Sequence, residues 1–593
     1  MKRFSENLKN FCKKEKFNLI ILTIIILLAT LLRLYNFEEW FHFRADQTRD
    51  AVMASRVLND GIGELRLLGP KAGGSGLHLG PVFYYFQAFS SWLFQSEEPV
   101  VMAYPDLLFS ILTIPLLYFF LKNFFTNKTS FSISSIYAFS YVAVQYSRFA
   151  WNPNSLPFWS LLLIFSLYKI ATTKNKKNAG WFLVLLALAY SVVSQLHFIA
   201  LIGFPMVIFI FWLKYFPRKI NWKFWLGAIF TVVILYSPVV ASEIITKGNN
   251  SKHFLNAIQQ RDDSEEKGFI EKSQKSFENY GKYYSYMVSS LNDEEVAPIY
   301  NIGTIFVLVS LFFIVLSLKK GSLKNKNFKK QIFLYLILSF FIGFAIVNYK
   351  LSHEINKPRY WFPQIFIPFV FLGFFLDMFF KSTKKYLRLL GWLLVFVFLV
   401  IHLTAIFNIY LNFSKKEDGE HFGRQTTSTT NRYHRIAPLS DMKNVSKYLY
   451  SNYDKSRKLC INAPGGYGAG YAYIFDLYYP EVDLRRTENN ISSDLRENCE
   501  IFLITNEPKT KEKQIGILHM DFEVEDFYQS GAMEVYKVKP LDNEVSRNIT
   551  LEDEEEARES AKEKLEESRE KDKKEVEVLP MKVWRNFFER NDL

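Results

Sequence analysis

The sequence predicts an α-helical polytopic membrane protein with a small C-terminal extracytoplasmic α/β domain. Three observations predict it. The apolar residues are bunched into runs of roughly 17–22, the length that crosses ~30 Å of hydrocarbon. The basic residues sit in short loops between those runs, and the run pattern stops near residue 411.

Composition supports the first observation. Of 593 residues 49% are hydrophobic and 17% aromatic, with 58 Phe and 33 Tyr, and this content follows no soluble helix or strand periodicity. The net charge of +13 suggests nucleic acid only until its placement is read. Lysines and arginines in short loops follow the positive-inside rule, so no nucleic-acid partner is expected. The first run, Phe17 to Tyr35, has no small-residue cleavage site after it and reads as a retained anchor.

The expected spans are 18–36, 101–121, 130–147, 155–170, 181–196, 198–213, 223–240, 302–318, 331–348, 360–380 and 389–410, about eleven crossings. Basic clusters from Lys2 to Lys16, at Lys122/Lys128, Lys169–Lys177, Lys214–Lys223, Lys319–Lys330 and Lys381–Arg388 mark the cytoplasmic side. The N-terminus is therefore cytoplasmic. Parity then decides the aromatic stretch at 80–95. The chain is outside at about Asn36 and inside by Lys122, which requires an odd number of crossings, and 101–121 already supplies one. Residues 80–95 are expected to lie along the outer surface as an interfacial helix.

With that topology the polar segments 37–100, 146–154, 194–198, 241–300, 348–360 and everything beyond about 411 share one face. Loop 241–300 is long, polar and without apolar period, and reads as a mobile lid. Residues 412–540 form the outer α/β domain. "MKNVSKYLYSNY" has helical spacing, and "KLCINAP", "EIFLITN" and "AMEVYKV" read as strands. Of three cysteines, Cys12 is cytoplasmic, while Cys460 and Cys499 are either a disulfide or two buried thiols. Residues 541–593 are a charged helical tail, read over 550–576 as solvated or a loose interaction segment.

Chemistry is sought on the shared face. In "FHFRADQTRDAVMASRVLNDG" the apolar spacing is helical, so Asp46 and Asp50, four apart, lie on one helix face beside Arg49. A plain surface ion pair explains the spacing equally well. The position of these acids, just outside the first span and next to an aromatic interfacial helix, favours a working site.

The ordered set Asp46-Gln47, Arg49-Asp50, Gly69-Pro70, Ser75, His78, Gly80-Pro81, Tyr84-Tyr85, Ser147-Arg148, Asn152-Pro153-Asn154 and Pro358-Arg359-Tyr360 resembles the membrane glycosyltransferases of the C-type (GT-C-like) fold. Within these it is similar to the dolichyl-phosphate-mannose–protein mannosyltransferase-like and aminoarabinose transferase-like branch, glycosyltransferase family 39-like. The resemblance covers roughly residues 15–410. It implies that residues 1–411 are a transmembrane glycosyltransferase module and that Asp46 is the catalytic carboxylate. It also implies a sugar donor on a polyprenyl phosphate. The phosphate is a competent leaving group, so one base suffices: Asp46 takes the acceptor proton as the acceptor attacks and inverts the anomeric carbon. Arginine suits the departing phosphate through its planar fork. Arg148 and Arg359 are the candidates, with Lys357 and His353 behind them.

Arg49, Asp50, His78, Tyr84, Tyr85, Asn152, Asn154 and Tyr360 complete the expected substrate-binding set. His78 and His197 also read as ordinary satisfied histidines, and Arg148 as a residue snorkelling to headgroups. Relatives often carry Asp-Glu where this chain has Asp46-Gln47, and acidic pairs where it has Asn152 and Asn154. No obligatory cofactor is expected, although Asp46 leaves room for a divalent cation. The expected partners are the lipid-linked donor, the bilayer, and a glycan, lipid or protein acceptor. The expected location is the cytoplasmic membrane of a cell, with the endoplasmic reticulum as the alternative. Two other readings compete, a transporter or flippase of lipid-linked saccharide and a non-catalytic scaffold. A transporter usually carries charges near mid-span, and a scaffold needs no acids and arginines drawn together from distant loops.

Overall fold

The computed structural model describes residues 15–72, 76–259, 268–291, 299–324, 328–351, 357–414, 437–463, 466–486, 499–506, 522–531, 533–541 and 583–588. Helix α1 (Lys16–Leu34) leads into a first loop that carries α2 (Ala45–Asp60) and α3 (Val82–Phe94). Then come α4 (Tyr104–Leu121), α5 (Asn127–Ala138), α6 (Tyr141–Gln145), α7 (Leu156–Thr172), α8 (Lys176–Leu196), α9 (Phe198–Tyr215) and α10 (Trp222–Thr246). A second loop carries α11 (Asn249–Gln259) and α12 (Phe269–Ser289), before α13 (Ile299–Lys324), α14 (Phe328–Lys350), a 3-10 turn (Pro358–Gln364), α15 (Phe366–Lys381) and α16 (Lys385–Ser414).

Among the described residues, 8 helices are long and apolar enough to cross a membrane, and the turn at Pro358 with α15, bent by 60°, makes up to 9. Their outward faces are apolar and exposed, as at Leu27, Leu31, Phe230, Val233, Phe396 and Val397, which only a lipid solvent tolerates. Two expected spans look different. Residues 155–170 fall in α7, which has 17 residues. Residues 130–147 are not one helix but α5 and α6, broken at Phe139-Ser140. The buried Arg33 guanidinium accounts for the break, since its Nη1 donates to Ala138 O at 2.8 Å and so satisfies a carbonyl that a broken helix leaves open.

Helix α3 has 13 residues, about 20 Å of rise and too short to cross. Its first half is buried at Phe83, Tyr84, Gln87 and Ala88, while Phe89, Trp92, Leu93 and Phe94 are exposed. That split suits a helix resting on protein at one end and in the headgroup zone at the other.

The reading of 241–300 as a loop without apolar period is corrected. Its second half is α12, which buries Tyr280, Tyr283, Tyr284 and Met287. These recur at helical spacing, and the rings meet Trp361 at 4.9–5.9 Å. The polar residues between them masked the period, because tyrosine counts as apolar only in part. Residues 260–267 and 292–298, including the acidic run, lie outside the described residues.

The C-terminal domain pairs β1 (Lys458–Asn462), β2 (Leu484–Arg486), β3 (Cys499–Thr505), β4 (Phe522–Ser530) and β5 (Met533–Pro540) in the order β2-β1-β3-β5-β4. β1 is parallel to β2 and β3, and β5 is antiparallel to β3 and β4. Helices α17 (Leu439–Asn452) and α18 (Gly468–Tyr478) pack beside it. The sequence reading found α17, β1, β3 and β5 and missed α18, β2 and β4. Cys460 and Cys499 form a disulfide between neighbouring strands, with Cα atoms 5.6 Å apart. The charged run 550–576 lies outside the described residues. A last short helix, α19 (Trp584–Phe588), returns to the first loop.

Candidate functional site

Helix α2 starts at Ala45 because Arg44 is extended and Gln47 reaches back, its Oε1 accepting the Arg44 N–H at 3.3 Å. The other end of that amide, Nε2, donates to Ala150 O at 2.9 Å. Gln47 thus clamps the start of α2 to the turn between α6 and α7. Asp46, in the first turn, stays 52% exposed while its Oδ1 accepts from Arg49 at 3.1 Å. One turn on, Asp50 is buried and takes Arg49 through Oδ1 at 2.7 Å. Among the described residues its Oδ2 has no hydrogen-bond partner. The two acids foreseen as one face therefore differ: one is reachable and one is sealed.

Burial outweighs Arg49 at Asp50 and holds its carboxyl up to about 7, well above the usual carboxylate range. The folded chain therefore keeps a proton that the unfolded chain has lost, so stability falls as pH rises from about 4 to about 7 and is flat beyond. Asp50→Asn is expected to remove that fall, measured as the thermal midpoint of the detergent-purified protein against pH. It should also reduce activity less than a change at Asp46. An unaltered pH slope in the variant means that Asp50 is already ionised at pH 4.

Tyr84 lies against this pair, buried, with the Arg66 guanidinium 5.6 Å above its ring centre. Burial raises the Tyr84 hydroxyl and keeps it neutral, with Asp50 and Arg49 both within electrostatic reach. Tyr85 points elsewhere, donating to Arg66 O at 3.0 Å. His78 is fixed by Gly69 O at 2.9 Å from Nδ1 and by a two-way backbone exchange with the Asn250 amide. Its imidazole is pushed below its usual range, chiefly by burial. The paired Gly-Pro turns around it have a packing reason. A Cβ on Gly69 would meet Gly80 O at 2.2 Å, and one on Gly80 would meet the Gln195 side chain at 2.3 Å.

A second cluster forms at the α6–α7 and α8–α9 turns. Arg359 sits with its guanidinium carbon 5.5 Å from the Trp151 ring centre and 5.1 Å from that of Tyr360. The Tyr360 ring meets His197 edge-on at 5.7 Å. Asn152 donates to Leu196 O at 2.6 Å, tying its turn to the same apex. Asn154 staples the turn internally through Phe149 O at 2.7 Å. Lys357 caps the 3-10 turn and is half-buried, and His353 and Ser75 lie outside the described residues.

The two clusters meet through consecutive residues, Gln47 holding Ala150 while Trp151 carries Arg359. Asp106, which no motif singled out, fixes that junction: its buried Oδ2 accepts the Trp151 N–H at 3.0 Å. A carboxylate inside the apolar run "YPDLLF" was the available signal.

Arg148 is held by backbone carbonyls and a tyrosine. Its Nη1 donates to Arg33 O at 2.7 Å and Tyr410 OH at 3.2 Å, and its Nη2 to Asn36 O at 3.1 Å. It lies between the Phe37 and Tyr410 rings and is 8% exposed. These contacts make it a strut between the C-terminal ends of α1 and α16.

The C-terminal domain closes the other side of α2. Ser55 and Tyr473 hydroxyls are 2.6 Å apart, Arg44 stacks over Tyr467 at 4.9 Å, and Leu439 N–H bonds to Phe41 O at 2.8 Å. Among the described residues no group of three His, Cys, Asp or Glu could hold a metal ion. Arg49 already takes an oxygen of both Asp46 and Asp50.

Residues 78–241 match the family model described as dolichyl-phosphate-mannose-protein mannosyltransferase. No curated protein matches the sequence. Among solved structures, ArnT from Cupriavidus metallidurans bound to undecaprenyl phosphate superposes with a TM-score of 0.50 at 10% identity, over 87% of this chain and 97% of that one. The oligosaccharyltransferase of Archaeoglobus fulgidus gives 0.42 at 10% identity, over 82% and 67%. The first likeness shows the fold, and the matched segment runs from His78 in the first loop into α10. Residues 78–241 are thus similar to the dolichyl-phosphate-mannose-protein mannosyltransferases, on a fold similar to that of ArnT.

Proposed function

We propose that the protein transfers a sugar, with inversion, from a polyprenyl-phosphate carrier to a hydroxyl or amine at the outer face of the cytoplasmic membrane. The observation that carries this reading is the division of labour on α2: a half-exposed Asp46 held by Arg49, backed by the sealed Asp50. Asp46 takes the acceptor proton while the acceptor oxygen or nitrogen forms its bond to the anomeric carbon. The bond from that carbon to the phosphate oxygen breaks, and the pair leaves with the phosphate. Arg359, over the Trp151 and Tyr360 rings, offers its fork to that charge. No step is routed through a metal ion.

The ArnT relative binds undecaprenyl phosphate, which supports a carrier of that class here. The buried charges argue against a transport path. Asp106 and Arg33 lie near the outer ends of their helices, and Asp377 is bonded to Lys381 near the other end of α15. The test is to incubate the purified protein with radiolabelled polyprenyl-phosphate sugars and envelope acceptors. Free polyprenyl phosphate and labelled acceptor are expected. Movement of intact carrier across proteoliposomes without cleavage overturns the reading in favour of a flippase.

The disulfide in the C-terminal domain supports an oxidising outer location for it. Site-directed labelling tests the orientation, in a background where Cys12 is Ser and the disulfide is kept. Ser96→Cys, at the end of α3, should react with an impermeant maleimide added to intact cells. Asn127→Cys, at the start of α5, should react only after lysis. The reverse pattern would put α2 on the cytoplasmic side and end the outer-face assignment.

A further inference from the structure

We propose that the C-terminal segment Val583–Phe588 is a positioning strap for Arg66, holding its guanidinium against Tyr84 beside the Asp50–Arg49 pair. This rests on the reading of α2 as the working face. The segment is fixed by a set of specific contacts. Val583 pairs with Arg66 as an antiparallel bridge, and Trp584 N–H bonds to Leu65 O at 3.0 Å. The Trp584 indole N–H donates to Tyr85 OH at 3.0 Å, and Tyr85 OH donates in turn to Arg66 O at 3.0 Å. The Arg585 guanidinium pairs with Glu64 at 3.1 Å and donates to Asp60 O at 3.1 Å. The Trp584 ring packs on Leu67, Ala241 and Ile245, which joins the first loop to the outer end of α10.

The Arg66 backbone is thus held from two sides, by Val583 and by Tyr85 under Trp584. Its side chain is the end that reaches the site, over Tyr84 and within electrostatic reach of Asp50. Residues 60–66 lie near the protein surface. They form one 3-10 turn (Ile62–Glu64) with no residue buried, and Ile62 is 79% exposed. The expectation of a loose tail does not extend to these residues. After a charged run the sequence turns to "VLPMKVWRNFF", whose Val583 and Trp584 had apolar surface to bury.

The test uses the chain truncated after Leu579, with thermal melting to confirm that it is folded. Loss of the strap should cut kcat/KM for the lipid-linked donor between about 10- and 100-fold, the scale of a misplaced site group. A synthetic peptide of residues 581–593 added to the truncated protein should restore it. Arg66→Ala should show a similar loss that the peptide does not repair, and combining it with truncation should add nothing further. Trp584→Phe, which keeps the ring and loses the N–H, should fall between. Unchanged kcat/KM on truncation, or losses that multiply, overturn the proposal.

Two readouts separate this from failure of the sugar-transfer reading. A fluorescent 581–593 peptide should bind the truncated protein and bind poorly when Glu64 is Lys. Phenylglyoxal modification of Arg66, followed by mass spectrometry, should speed up on truncation and slow again with peptide. If the full chain transfers no sugar yet both hold, the strap stands and the activity reading falls. If Arg66 is modified at one rate throughout, the strap falls.

Discussion

Asp46→Asn is expected to lower transfer by about 10²–10⁴ while donor binding and folding survive, the usual cost of losing a general base. The asparagine keeps the shape and can still meet Arg49, so α2 should start as before. What it cannot do is accept a proton from the attacking group. The half-exposed position of Asp46 makes the result interpretable, because no buried network is broken, in contrast to Asp50 with its direct hold on Arg49. Transfer should be read as released polyprenyl phosphate, and donor affinity by competition with labelled carrier. Near-wild-type turnover would remove Asp46 from the mechanism and turn attention to Asp50 or Asp106.

Arg359 carries the second large effect. Arg359→Ala should cost about 10²–10³ in kcat, the scale reported for removing one donor to a developing oxyanion. Arg359→Lys should recover little of it. Lysine keeps the charge but loses the fork and the planar face that lies on Trp151 and Tyr360. Arg148 supplies the contrast. Its guanidinium serves two backbone carbonyls and Tyr410, so Arg148→Lys should lower the melting temperature and leave the donor KM unmoved. Free substitution of Arg359 by Lys would mean that it meets only headgroups, and the phosphate role would have to be given up.

Some features were legible because they follow from local composition. An anchor such as α1 or α16 needs only a run of apolar residues between basic clusters, and lipid enforces that run whatever the rest of the chain does. The expectation that α3 does not cross came from parity, a counting argument that needs no contacts, and its 13 residues agree. The strands at 458–462, 499–505 and 533–540 are short apolar runs with clear ends. Helix α18 was missed because "GAGYAYIFDLY" begins with glycines that depress helix propensity, and its stability comes from packing on α2. Helix α12 was missed for a related reason. Its buried face is made of tyrosines, whose hydroxyls read as polar until the chain supplies partners such as Asn348 for Tyr280 and Gln364 for Tyr284.

By itself the sequence determined the fold class, the membrane-crossing helices with an aromatic helix beside them, and the short list of acids and cations proposed for a site. The tertiary structure alone decided how that list divides. It sealed Asp50 and left Asp46 open, spent Arg148 on carbonyls at the helix ends, and set Arg359 on Trp151. It also brought Trp584 from the far end of the chain to the backbone of Arg66. The physical reason is the range of the forces. Hydrophobic length and charge bias act along the chain and leave a pattern in it. Which guanidinium meets a carboxylate, a carbonyl or a ring depends on desolvation and on donors and acceptors that lie hundreds of residues apart.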